Sequence, residues 1–178
     1  IMKSDDAVSE ILGFVLVLGL VIILVSLVTA AALPNMIKEA EIKENEKAVF
    51  VFEEIKRDMD TFCLAEVSGM KRQYILDISD KALVSVSHGK KVGSTYREVK
   101  ITYEANNILA EDVWIVIESG GLFWNKKRIL PSSFLMVVNP EDTPEQMEYG
   151  EKVRIEYSYL GHIFEGGREC HLFSIRLL

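Results

Sequence analysis

Three histidines and two cysteines are the side chains of this 178-residue sequence best suited to acid–base, nucleophilic or metal chemistry. His88, His162 and His171 stand apart, with no His-x-x-x-His or Cys-x-x-Cys spacing to gather ligands around a metal. His88 beside Gly89 reads as a turn residue, and His171 beside Cys170 as a strand residue. Gly120-Gly121 and Gly166-Gly167 lack the following Lys-Ser/Thr of a phosphate loop. The carboxylates of Glu141-Asp142-Thr143-Pro144-Glu145 could hold calcium weakly, but this stretch reads better as a solvated loop. Among Trp114, Phe123, Trp124, Tyr157 and Tyr159 most are expected in the core, with Phe123-Trp124 beside Gly121 at the surface. No catalytic, cofactor-binding or metal-binding constellation emerges, so an enzyme is the least supported class.

Cys63 and Cys170 match no metal spacing either. In an oxidising compartment such a pair reads as one disulfide, closing a loop of about 108 residues worth on the order of 4–5 kcal/mol in the chain-entropy model. Two buried free thiols are the other reading. The disulfide is the expectation, and it would clamp the end of a helix to the last strand.

The elements that would position these residues begin with an uncharged run. Ile11 to Leu33 contains no Asp, Glu, Lys or Arg. Its roughly 23 residues, at about 1.5 Å of helical rise each, reach roughly 35 Å, enough to cross a hydrocarbon core of about 30 Å with some tilt. It is too long for the apolar region of a secretory signal peptide, although Ala30-Ala31-Ala32 could mimic a cleavage site. Pro34 closes the run and predicts a kink. From Met36 to Leu64 a second helical stretch follows, free of Gly and Pro, in which Ala48, Phe52, Ile55, Met59 and Phe62 make one apolar stripe. That stripe needs a sheet to cover it.

Strand-forming segments supply the sheet: 74–78, 83–87, 97–103, 113–117, 133–138, 153–159 and 171–178. Turn signals at His88-Gly89, Gly93-Ser94, Asn106-Asn107, Gly120-Gly121, Asn139-Pro140, Gly150, Gly161 and Gly166-Gly167 separate them. The fold class is α+β: a long N-terminal helix, hydrophobic then amphipathic, followed by an antiparallel β-sandwich-like domain. A formal net charge of −7 and a pI near 5.1 argue against nucleic acid as a partner. No Asn-x-Ser/Thr acceptor for N-glycosylation is present.

The residues before the apolar run carry a resemblance. Lys3-Ser4 precedes Asp5-Asp6-Ala7-Val8-Ser9-Glu10, and then Ile11-Leu12-Gly13 opens the aliphatic stretch. This resembles the class III signal peptide of archaeal type IV pilins and their relatives. The resemblance implies a leader, residues 1–4, cut by a prepilin peptidase between Ser4 and Asp5. It further implies a filament-core helix over 5–34, an amphipathic extension over 35–66 and a β-rich head over 67–178. On that model the membrane-inserted precursor is handed to a pilus assembly platform and polymerises with itself. Ile11, Phe14, Leu18, Leu20, Ile23 and Leu27 would pack the core of a cell-surface filament sheathed by the β heads. A basic count of Lys3 before the span against Lys38, Lys43 and Lys47 after it would weakly place the body in the cytoplasm. Orientation therefore rests on the resemblance and the cysteines. The alternative is a single-pass membrane protein whose extracytoplasmic domain binds a partner, as a receptor or a stator-like accessory.

Overall fold

A computed structural model describes residues 3–150 and 152–178, with side chains from Asp6 onward. Of the expected leader, Ile1 and Met2 lie outside the described residues, and the backbone of Lys3, Ser4 and Asp5 is helical. The chain divides into two compact units, Ile1–Ala40 and Glu41–Leu178. One helix, α1 (Lys3–Ala65), supplies the first unit and continues into the second, with helical residues on both sides of Pro34. It stops where Glu66 turns to φ 53° and donates its N–H to the Phe62 carbonyl at 3.0 Å, a left-handed cap.

In the second unit the stripe predicted from spacing is the buried face of the helix. Ala48, Phe52, Ile55, Met59 and Phe62 are all buried, against a curled sheet of ten strands. In chain order these are β1 (Lys71–Asp77), β2 (Ala82–Val92), β3 (Tyr96–Ala105), β4 (Val113–Glu118), β5 (Gly121–Trp124), β6 (Lys127–Pro131), β7 (Met136–Val138), β8 (Gln146–Glu148), β9 (Lys152–Glu165) and β10 (Arg168–Leu177). The main path runs β1-β9-β10-β7-β3-β4-β5-β6, and β2 joins β3 to β8. The pairings are antiparallel except that β10 runs parallel to β7, so the strands form one continuous mixed sheet.

Period-2 alternation decides which side chains meet the helix. On β10, Phe173, Ile175 and Leu177 enter the main core with Tyr157 and Tyr159 of β9. Beyond β7, the edge of β10 is capped by side chains: the Ile175 N–H donates to Thr143 Oγ1 at 3.1 Å and the Leu177 N–H to Gln146 Oε1 at 2.9 Å.

Two expected turns are bulges within continuous strands. Around Gly89 the β2–β3 register slips by one residue between His88 and Lys91. At Gly161, whose φ is 155°, β9 leaves Leu160 without a partner opposite Leu172 and Phe173. A glycine between strand-forming residues signals a bulge as readily as a turn.

The disulfide expectation is corrected by the same alternation. Cys63 and Cys170 are both free and buried. Cys63 sits in the main core under α1, whereas Cys170 joins Val92, Leu135 and Val137 in a second, smaller cluster. Cys170 is one residue out of phase with Phe173 and Ile175, so it points to the opposite face of β10 and the sheet lies between the two sulfurs.

Candidate functional site

Within the first unit the apolar run is uncovered on every side. Ile11, Phe14, Leu18, Leu20, Ile23 and Leu27 are between 47% and 67% exposed, which brings together on one helix every residue expected to pack a filament core. Soluble monomers rarely expose a contiguous apolar surface of this size, and such a surface marks a membrane or an assembly contact. The polar interruptions are satisfied internally: Ser26 Oγ donates to the Ile22 carbonyl at 2.8 Å, and Thr29 Oγ1 to the Val25 carbonyl at 2.7 Å. The span thus asks for no outside hydrogen-bond partner at those positions, as an apolar surrounding requires. Asp6 and Glu10, in the first turns of α1, place negative charge where the helix dipole favours it.

In the second unit, carboxylates of α1 fasten the helix to the sheet and its loops. The Glu41 carboxylate accepts the consecutive N–H groups of Ile108, Leu109 and Ala110 at 2.7, 3.0 and 2.8 Å, and Lys81 Nζ lies at 3.4 Å. The Ala110 and Ile108 N–H groups, with those of Leu109 and Lys81, hold its pKa down at about 2 against the opposing effect of burial. Glu44 Oε1 accepts the Ser79 N–H at 2.7 Å. Asp58 Oδ2 accepts the hydroxyls of Tyr74 and Tyr157 at 3.0 and 2.8 Å. Burial first, and then this carboxylate, push the Tyr157 hydroxyl well above its ordinary value. Lys56 is fully buried, donates to Asp60 Oδ1 at 3.1 Å, and has its pKa lowered by burial in spite of that partner. Asp60 Oδ1 also accepts from Ser132 Oγ at 3.0 Å. None of these carboxylates stood out as a site in the sequence, because apart from Lys56, four residues before Asp60, their partners lie 16 to 99 residues away.

The histidines and cysteines offered by the sequence take part in contacts within the head. His88 Nε2 donates to the Thr143 carbonyl at 2.6 Å and pins the loop before β8. Thr143, in the middle of the acidic stretch, is itself fully buried as the anchor of that loop. His171 is buried, with Nδ1 3.0 Å from the Tyr159 hydroxyl and its ring stacked on His162 at 5.0 Å. Burial, and then His162, lower its pKa. Burial pushes the Cys63 thiol up to about 12, which disfavours the nucleophilic thiolate form. An open groove of about 400 Å³ between α1 and β1, lined by Lys43, Lys47, Phe50 and Ile75 among others, contains no histidine or cysteine. Among the described residues no group of three or more His, Cys, Asp or Glu side chains is placed to hold a metal ion. Of the pair expected at the surface, Trp124 is 38% exposed and Phe123 is half-buried.

Fold and surface together define an α+β protein with one N-terminal helix long and apolar enough to span a membrane and a curled β head. Residues 7–123 match the model of a protein family described as a family of unknown function, DUF7289, and the chain belongs to that family. The matched region takes in the apolar run and extends through β1–β4 into β5. No curated protein and no solved structure matches the chain.

Proposed function

We propose that this chain is the structural subunit of a surface filament of the archaeal type IV pilus kind, with apolar helices bundled in the core and β heads outside. The observation that carries the reading is the apolar surface of Ile11–Leu33, uncovered around its whole circumference and preceded by Asp5-Asp6-Ala7-Val8-Ser9-Glu10. A helix apolar all round is stable in lipid or among copies of itself, and the same surface serves both in turn. Before assembly it anchors the precursor in the membrane. After removal of residues 1–4 it packs against neighbours, and a heterologous contact that does not close gives an open filament.

The rival reading keeps the same helix permanently in lipid as the anchor of a partner-binding head. Electron microscopy and mass spectrometry of material sheared from expressing cells separate the two. Polymers built from a chain beginning at Asp5 support the filament. Their consistent absence, with Lys3 and Ser4 retained on a membrane-bound chain, defeats it.

A further inference from the structure

On β10, period-2 alternation turns Leu177, Ile175, Phe173 and His171 towards the core, so a titratable ring stands where the pattern calls for a hydrophobe. His171 is 6% exposed, with Phe134 edge-on to it at a centroid distance of 5.2 Å. The hydroxyl of the fully buried Tyr159, on β9, lies 3.0 Å from its Nδ1. Burial pushes that hydroxyl up to about 12, so it keeps its proton at neutral and acid pH. A buried donor needs an acceptor, and the hydrogen-bond network assigns that role to Nδ1, which leaves the neutral ring's own proton on Nε2.

His171 also stacks on His162, its cross-strand partner, with centroids 5.0 Å apart and 14° between the planes. His162 Nδ1 lies 3.6 Å from Glu66 Oε1, and its Nε2 lies 3.9 Å from Glu169 Oε2. Glu66 is the left-handed residue that ends α1, and the chain after it is tied to β9. The Gly69 N–H donates to the Tyr159 carbonyl and the Tyr159 N–H to the Met70 carbonyl, both at 2.8 Å. Between Tyr159 and His162 the bulge at Gly161 interrupts the β9–β10 ladder, so side-chain contacts carry more of the local cohesion. The titratable groups facing His171 are thus Tyr159 and His162 from β9, Glu66 from the end of α1 and Glu169 from β10, with Cys63 of α1 close to Tyr159.

We propose that the stacked His171–His162 pair is an acid-sensitive latch, which holds the β9–β10 hairpin to the segment that follows α1 and opens when His171 takes up a proton. The proton enters at Nδ1, because Nε2 already carries one. It turns the acceptor of the Tyr159 bond into a donor, so the hydroxyl loses its acceptor and the bond breaks. The new charge lies against Phe134 and face to face with a second imidazole, shielded from the water that would solvate it. Opening carries the ring to solvent. Burial, and then His162, outweigh the attraction of Glu66 and Glu169, so the closed ring takes its proton below the ordinary 6.5 of an open one. The closed form is therefore fully favoured above about 6.5 and is weakened as the pH falls below it, by up to about tenfold per pH unit for one proton. The latch belongs to the head alone and stands whether or not the chain forms filaments.

The test is amide hydrogen exchange, read by mass spectrometry on the full-length chain in detergent micelles between about pH 7.5 and 5 and corrected for intrinsic exchange. Protection of residues 66–70 and 159–171 is expected to fall by up to about tenfold per pH unit below about 6.5, while that of residues 113–118 stays constant. His171→Gln, which does not titrate, should abolish the slope. Tyr159→Phe keeps the buried ring and removes only the bond that protonation breaks, so it should shrink the total loss by about fivefold, the scale of one hydrogen bond. His162→Gln should retain a slope, because His171 is still present and buried. Flat protection of both regions, a slope that survives His171→Gln, a Tyr159→Phe profile identical to wild type, or a slope that vanishes in His162→Gln would each overturn the latch.

Discussion

Glu41 shows how one side chain organises a loop remote in sequence. Ile108, Leu109 and Ala110 present three consecutive N–H groups to a single carboxylate, a concave cradle that favours negative charge. The depressed pKa has a definite consequence for stability. The unfolded chain protonates this group near 4.5 and the folded chain near 2, so its contribution is complete above about 4.5 and is lost as the pH falls through about 2. Wild type should therefore unfold at higher denaturant concentration than Glu41→Gln at pH 7, with the gap narrowing below about 4.5 and closing near 2. Urea titrations of both proteins across that range measure it. A gap that stays constant with pH would show that the Glu41 charge adds nothing beyond what an uncharged amide supplies.

At the level of elements, the docked half of α1 is the part the sequence states most clearly. Phe52 is fully buried and Phe50, two residues earlier, is 63% exposed, as a period of 3.6 dictates. Phe52→Ala should cost about 3–5 kcal/mol, and Phe50→Ala should stay within about 0.5 kcal/mol, as read from thermal or urea unfolding of the two variants. Equal effects would mean that the helix does not pack through this stripe. Of the seven strand segments read from β-forming residues, six are present and 133–138 is a strand only over Met136–Val138, while β5 and β6 as a hairpin, and β8, were not foreseen. The β5–β6 turn places Asn125 and Lys126 at φ 47° and 69°, a tight hairpin turn without the glycine that usually announces one. Gln146-Met147-Glu148, three residues with a single apolar side chain between two polar ones, give β8 too short a pattern to read as a strand. The cysteine pairing failed for a different reason. Sequence separation says nothing about which face of a strand a residue occupies, and Cys170 is out of phase with the core side of β10. The exposed apolar surface was legible because it is one unbroken run, whereas the carboxylate anchors were not, because each depends on a long-range partner.

The whole molecule joins a head that buries its own core to an apolar helical run that is uncovered among the described residues. Residues 41–178 bury their own core, while the window of highest hydropathy in α1 is 0% buried. A charge placed in that window should therefore act on location and assembly and leave the head intact. Leu20→Lys puts an ammonium near the middle of the run, where insertion costs about 3 kcal/mol relative to leucine. Met36→Lys puts the same charge beyond the run, where a long side chain reaches water at little cost. If the helices bundle, Leu20→Lys should abolish sheared filaments, because every face of the helix meets a neighbour, and Met36→Lys should retain them. The thermal transition of the head should be unchanged in both. If the helix is only a lipid anchor, wild type and Met36→Lys alike should remain in the membrane fraction with no polymer, and Leu20→Lys should lose only its insertion. Filaments from Leu20→Lys at wild-type abundance would contradict both readings of the helix, since neither a lipid span nor a packed core accommodates an unpaired charge at its centre.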